Sequence, residues 1–150
     1  MKRIYSFENR CLGCKLCEIY CKVSHSKSKN VIKANKLENV VSKIIVEKTI
    51  DDDNNISHFA LQCRHCEAPK CIKACISGAM YKDDNGIVRN NEKKCIGCLS
   101  CILACPFGAI KKNNFDKVTK CDLCIDSGND EPFCVKNCPN EAIKFLSKGK

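Results

Sequence analysis

A chain of 150 residues makes one small domain or two very small ones and cannot bury a large apolar core. Sixteen cysteines, about a tenth of the residues, point to a framework of disulfides or of metal as the missing source of cohesion. The formal charge of +9 counts every thiol as neutral, so it does not by itself indicate a nucleic-acid or membrane-surface partner.

The N-terminal stretch MKRIYSFENRCLGC is charged at its start but has no apolar run of signal-peptide length, and no later segment is apolar enough to span a bilayer. A cytoplasmic, reducing location is expected, and there cysteine frameworks hold metal more often than disulfides. Residues 11–21, CLGCKLCEIYC, give the first cysteine set: Cys11, Cys14, Cys17 and Cys21. Residues 22–62 contain no cysteine. Their first part, KVSHSKSKNVIKANK, is lysine-rich and expected to be irregular. VVSKIIVEKTI and ISHFAL, rich in β-branched and aromatic residues, then flank DDDNN and predict a hairpin. Between Lys22 and Lys48 there are seven lysines against Glu38 and Glu47. This run is read as a solvated face, with a docking surface for a redox partner as the sharper alternative.

Residues 63–75, CRHCEAPKCIKAC, give the second set, Cys63, Cys66, Cys71 and Cys75, whose longer interval is expected to turn at Ala68-Pro69. ISGAMYK and GIVRN around Asp83-Asp84-Asn85-Gly86 predict another hairpin. The third set, CIGCLSCILACP, has the same spacing as the first: Cys95, Cys98, Cys101 and Cys105, with Pro106 behind them. FGAIKK follows as a short strand. The fourth set is Cys121, Cys124, Cys134 and Cys138, followed by Pro139, and NEAIKF is expected to be the strand that matches FGAIKK.

Four thiols at intervals of three, three and four, with a trailing proline, form an iron–sulfur signature. Gly13 and Gly97 let the backbone wrap close to inorganic sulfide. Zinc sites take their four ligands from two CxxC pairs, and a third closely spaced thiol would be redundant there. Four [4Fe–4S] clusters use all sixteen cysteines with none left over. With each core at roughly +2 against its thiolates, the holoprotein falls to roughly +1, and the lysines become compensation for buried negative charge. Nucleic-acid binding is set aside. His25 and His58 are given no role, and His65 is expected at the surface. The nine aromatic residues are read as packing. No GxGxxG or P-loop is present and no thiol remains as a nucleophile, so neither a catalytic residue nor a small-molecule substrate site is expected.

The four sets in this order, with QCRHCEAPKCIKAC second and KCDLC opening the fourth, resemble the four-cluster ferredoxin-like electron-transfer subunits. These serve molybdenum oxidoreductases of the dimethyl-sulfoxide-reductase type, formate-hydrogen-lyase systems and CO dehydrogenases. The segment CLGCKLCEIYCKVSHSKSK looks most like the subunit associated with nickel CO dehydrogenase. The resemblance implies an α+β fold, small and irregular, of two nested two-cluster ferredoxin units with short β-hairpins. Residues 1–61 plus 119–150 would form the outer unit and residues 62–118 the inserted one. It also implies how ligands are shared. Cys11, Cys14, Cys17 and Cys138 would hold one cluster, and Cys121, Cys124, Cys134 and Cys21 its neighbour. Cys63, Cys66, Cys71 and Cys105 would hold a third, and Cys95, Cys98, Cys101 and Cys75 the last. Lys22 and Ile76 stand where relatives usually have proline, which alters the exit of the chain and not the ligation.

The role so implied is a relay between a catalytic oxidoreductase subunit, with CO dehydrogenase favoured and formate dehydrogenase or hydrogenase as the alternative, and a second redox partner such as a ferredoxin, flavoprotein or hydrogenase. A redox- or oxygen-responsive iron–sulfur interaction protein is the reading from another class, and a zinc-bearing interaction module a third.

Overall fold

The structure, a computed structural model, describes residues 1–128 and 130–147. Its elements run β1 (Lys2–Ser6), α1 (Leu16–His25), α2 (Val31–Lys36), β2 (Ile44–Ile50), β3 (Ile56–Gln62), α3 (Lys70–Lys73), β4 (Met80–Lys82), β5 (Val88–Asn90), α4 (Ser100–Leu103), β6 (Ile110–Lys112), β7 (Val118–Lys120), α5 (Phe133–Lys136) and β8 (Ile143–Ser147). The strands form four separate antiparallel pairs, β1–β8, β2–β3, β4–β5 and β6–β7. This mixture of short helices and strand pairs is consistent with a ferredoxin-like [4Fe–4S] domain.

Three of the pairs are local hairpins whose tips are built by one acidic or amide side chain. Asp51 Oδ1 accepts from the N–H groups of Asp53 and Asn55. Asp83 Oδ1 accepts from Ile87 N–H, and Asn113 Oδ1 from Phe115 and Lys117 N–H. Such side-chain turns let the strands reverse without leaving backbone donors unpaired. The β2–β3 and β4–β5 hairpins fall where the β-branched runs placed them, in registers Ile44↔Gln62 to Ile50↔Ile56 and Met80↔Asn90 to Lys82↔Val88.

Two expectations fail. The lysine-rich segment is not irregular: α1 carries on to His25, and α2 follows it. Asn30 caps α2, its Oδ1 accepting from Ile32 and Lys33 N–H, and Ala34 packs into the protein at 1% exposure. NEAIKF does not match FGAIKK either. Ile110 of FGAIKK pairs with Lys120 in β7, and β8 pairs instead with the N-terminal strand, Lys2↔Ser147 through Ser6↔Ile143.

The buried apolar residues fall into two groups. One gathers Ile4, Ile44, Val46, Ala60, Leu123 and Ile143 with Cys17, Cys21, Cys121 and Cys134, and Ile87 joins it from the middle of the sequence. The other gathers Met80, Val88, Cys101, Ile110 and Val118, with Cys71, Cys75, Cys95 and Cys105 packed against them. Side-chain hydrogen bonds knit the first group: Glu18 accepts from Val46 N–H at 2.8 Å, and Gln62 Nε2 donates to Ile4 O at 3.0 Å. No helix among the described residues is long and apolar enough to cross a membrane.

Candidate metal centres

Each cysteine set folds into the same local module. The CxxC turn opens it, and the residue before the second cysteine has a left-handed backbone in all four: Gly13 (φ 71°), His65 (φ 46°), Gly97 (φ 73°) and Leu123 (φ 61°). A side chain in that region costs roughly 1–2 kcal/mol, so His65 and Leu123 hold a strained conformation that only a demanding turn would keep. At Gly97 a Cβ would collide with the Asp116 carbonyl oxygen. The third cysteine is then the second residue of a helix in every set: Cys17 in α1, Cys71 in α3, Cys101 in α4 and Cys134 in α5. The fourth follows one helical turn later.

Helix packing merges these modules pairwise. α1 lies on α5 and α3 on α4. Cys11, Cys14, Cys17 and Cys138 consequently line one cavity, together with Leu12, Val46, Pro139 and Ile143. Cys63, Cys66, Cys71 and Cys105 line another, closed by Pro69, Pro106, Phe107 and Ile110. Cys134 has Cys121, Cys21 and Cys124 as charge neighbours, and Cys101 has Cys75, Cys95 and Cys98. The structure thus brings cysteines of the first and fourth sets together, and likewise those of the second and third.

Several of the buried thiols are electrostatically costly as they stand. Burial, then Glu18 and the nearby Cys11 and Cys14, push Cys17 up to about 12. Burial, then Cys63 among its neighbours, pushes Cys71 up to about 11. Burial, then Cys121, Cys21, Cys124 and Cys17, push Cys134 well above the usual thiol range. Four thiols that repel one another as thiolates are a ligand set awaiting a cation.

Backbone donors are aimed at the sulfurs. Lys43 N–H lies 3.2 Å from Cys21 Sγ, Ala142 N–H 3.2 Å from Cys138 Sγ, and Met80 N–H 3.4 Å from Cys75 Sγ. His65 and Leu123 N–H each lie 3.4 Å from the first sulfur of their own turn. All-sulfur quartets with N–H donors pointed at them fit an iron–sulfur cluster and leave no nitrogen or oxygen ligand to supply.

Two features around the quartets escaped the sequence. His65 is not at the surface; it is fully buried, with Nδ1 accepting from Val88 N–H at 3.2 Å. Burial first, then the charges of Lys120 and Arg3, lower its pKa to about 3, so the ring is neutral. Asp122 forms a charged triad with Lys43 (2.6 Å) and His25 (3.0 Å), locking the fourth CxxC turn against α1. His25 Nδ1 also donates to Cys21 O at 2.7 Å. Of that triad only Asp122 lies beside cysteines in the sequence; Lys43 is twenty or more residues from any of them.

Residues 54–148 match a family described as a 4Fe-4S dicluster domain, and residues 8–24 a 4Fe-4S binding domain. The thiosulfate reductase electron transfer subunit PhsB of Salmonella typhi is 35% identical over 147 residues, covering 92% of this chain and 71% of the relative. The protein belongs to the 4Fe–4S ferredoxin-like electron-transfer subunit family. The B subunit of the anaerobic dimethyl sulfoxide reductase of Escherichia coli (strain K12) is 37% identical over 141 residues, covering 91% of this chain and 69% of the relative. An iron-sulfur protein of Rhodospirillum rubrum is 35% identical over 161 residues, covering 95% of this chain and 80% of the relative. Among these, the relatives whose names give a role are electron-transfer or B-subunit components of reductases. As a family member the protein binds [4Fe–4S] clusters, and its sixteen cysteines are the number that four of them require.

Proposed function

We propose that the chain is a four-cluster wire that carries electrons between the catalytic subunit of an oxidoreductase and a second redox protein. Cysteines of different sets gathered around shared cavities, each set folded as the same repeated module, are the observation that carries the reading. A [4Fe–4S] cluster, when bound, takes up and releases one electron without exchanging ligands. The protein's part is to hold the thiolates, to keep water out with Val46, Ile143, Phe107 and Ile110, and to aim N–H donors at the sulfurs.

The order of the wire follows from which quartets touch. Cys17 of the first neighbours Cys134 of the second, and Lys120, which precedes Cys121 of the second, acts on Cys63 of the third. The third and fourth share α3 and α4. The first and fourth are therefore the ends, and each exposes one ligand cysteine, Cys14 and Cys98, with an exposed Leu12 or Ile96 beside it. Those ends are where partners would receive or deliver electrons. The two buried groups support a nested arrangement, with residues 1–61 and 119–150 enclosing residues 62–118.

By analogy with the thiosulfate and dimethyl sulfoxide reductases, the catalytic partner is a molybdoenzyme-type reductase subunit. None of the relatives described above is named for CO dehydrogenase, so the nickel enzyme is the secondary reading. Anaerobic purification with metal analysis tests both layers. About sixteen irons per chain are expected, with molybdenum in the accompanying subunit. Nickel in its place would move the partner to CO dehydrogenase and leave the wire intact. Far fewer irons would refute the wire.

A further inference from the structure

One buried charge between the two groups of apolar residues is not explained by ligand geometry. Lys120, the last residue of β7, is 3% exposed. Its Nζ donates to the carbonyl oxygen of Cys121 at 2.7 Å and to that of Val88. No carboxylate among the described residues forms an ion pair with it; Asp122, the acid next in sequence but one, is engaged by Lys43 and His25. An ammonium withdrawn from water and given only neutral carbonyls is destabilising unless a negative group faces it.

Sulfurs lie beside those carbonyls: Val88, which holds Lys120, lines the same cavity as Cys63, Cys66, Cys71 and Cys105. The charge of Lys120 acts on the Cys63 thiol. Its charge also reaches Cys71 of the same quartet and Cys121 of the neighbouring one. Val88 fixes the arrangement from both sides, its carbonyl accepting from Lys120 and its N–H donating to His65. Four thiolates around a core of roughly +2 carry a net negative charge, and reduction adds one more.

We propose that Lys120 is the counter-charge at the central joint of the wire, and that its ammonium makes the centre held by Cys63, Cys66, Cys71 and Cys105 easier to reduce. The step it biases is the uptake of one electron from the neighbouring centre or an external reductant; no bond forms or breaks. This rests on the ligand sets proposed above. Lys120 touches no substrate and acts through the cysteines, so it is a positioning residue.

The test is an anaerobic redox titration of the holoprotein, followed by electron paramagnetic resonance, with dithionite as the reductant and iron measured on every sample. Lys120→Met is expected to retain its iron and to make one centre at least tenfold harder to reduce, about 59 mV for a one-electron couple. Lys120→Arg, which keeps the charge, is expected to recover most of that shift. Cys63→Ser marks which signal belongs to the third quartet. Unchanged potentials in iron-replete Lys120→Met overturn the proposal. Equal iron loss in the Met and Arg variants also overturns it, because the residue would then be a structural clamp alone. A shift confined to a centre that Cys63→Ser leaves untouched refutes the assignment to this quartet. A wild-type protein short of four clusters, by contrast, would refute the underlying reading before the variants are compared.

Discussion

Gly97→Ala separates the demands of the CxxC turn from those of glycine in general. Gly97 lies at φ 73°, and a Cβ there would strike the carbonyl oxygen of Asp116, at the tip of the β6–β7 hairpin. That tip has little freedom to retreat: Asp116 is itself left-handed at φ 57°, and Asn113 N–H donates to Lys117 O at 2.7 Å across it. The backbone term is roughly 1–2 kcal/mol for a side chain in the left-handed region. Overpacking against a fixed backbone adds about 1–3 kcal/mol. Gly78→Ala is the control, because Gly78 has φ 64° and nothing within 4 Å of its added methyl; it should lose the backbone term only. At roughly 2–4 °C per kcal/mol for a protein of this size, the collision should separate the two midpoints by about 2–12 °C. The assay is the loss of iron–sulfur absorbance on heating anaerobic holoprotein, with Gly97→Ala also expected to weaken the centre of Cys95, Cys98 and Cys101. Equal midpoints for the two variants would refute the argument that the hairpin tip closes this turn.

Cys98→Ala should remove one centre and leave the other three, lowering iron from about sixteen to about twelve per chain; unchanged iron and unchanged transfer rate would contradict it. Ile143→Ala, at a β8 position 2% exposed, should cost about 2–5 kcal/mol, whereas Ile56→Ala, on the exposed end of β3, should stay within about 0.5 kcal/mol; thermal midpoints of the pair check this. His25 gives a pH dependence. Burial alone would lower its pKa, but the Asp122 hydrogen bond and the Cys21 sulfur outweigh burial and raise it to about 10. A folded-state value above the ordinary one near 6.5 means that the stabilisation is complete below that pH and is lost as pH rises toward about 10. His25→Phe should therefore destabilise more at pH 6 than at pH 10 in urea titrations, and equal costs at both would speak against a charged His25–Asp122 pair.

What the sequence made readable was local. The cysteine intervals announce the modules because each pairs a CxxC turn with two cysteines spaced one helical turn apart. The β2–β3 and β4–β5 hairpins were readable because Asp51 and Asp83 each close a tip within a few residues. Helix α2 was missed because a lysine-rich composition suits a solvated helix and an irregular loop equally well; the Asn30 cap was the available signal. The β1–β8 pair could not be read at all, since KRIYS and IKFLS lie at opposite ends of the sequence and neither names its partner. His65 was misplaced for a related reason. Its neighbours Arg64 and Glu67 are polar, but its burial is decided by Val88 and Lys120, which arrive from elsewhere in the sequence.

The long-range strand pairing has a chemical purpose that the cysteine spacing conceals. Ser6 ends β1 five residues before Cys11, and Ile143 starts β8 five residues after Cys138. Pairing Ser6 with Ile143 therefore delivers Cys138 to the cavity of Cys11, Cys14 and Cys17, the quartet proposed above, more than a hundred residues away in sequence. The inner pair repeats the device: Met80 starts β4 five residues after Cys75, Asn90 ends β5 five residues before Cys95, and Met80 pairs with Asn90. The two strand pairs close the two end quartets, while α1 against α5 and α3 against α4 carry a cysteine from each end quartet's helix into the adjoining one. Those strand pairs hold the distant fourth ligands of the proposed end quartets in place. The short sheets are thus jigs for the metal sites, and their sequences are constrained by the sulfur positions at least as much as by the apolar faces they bury.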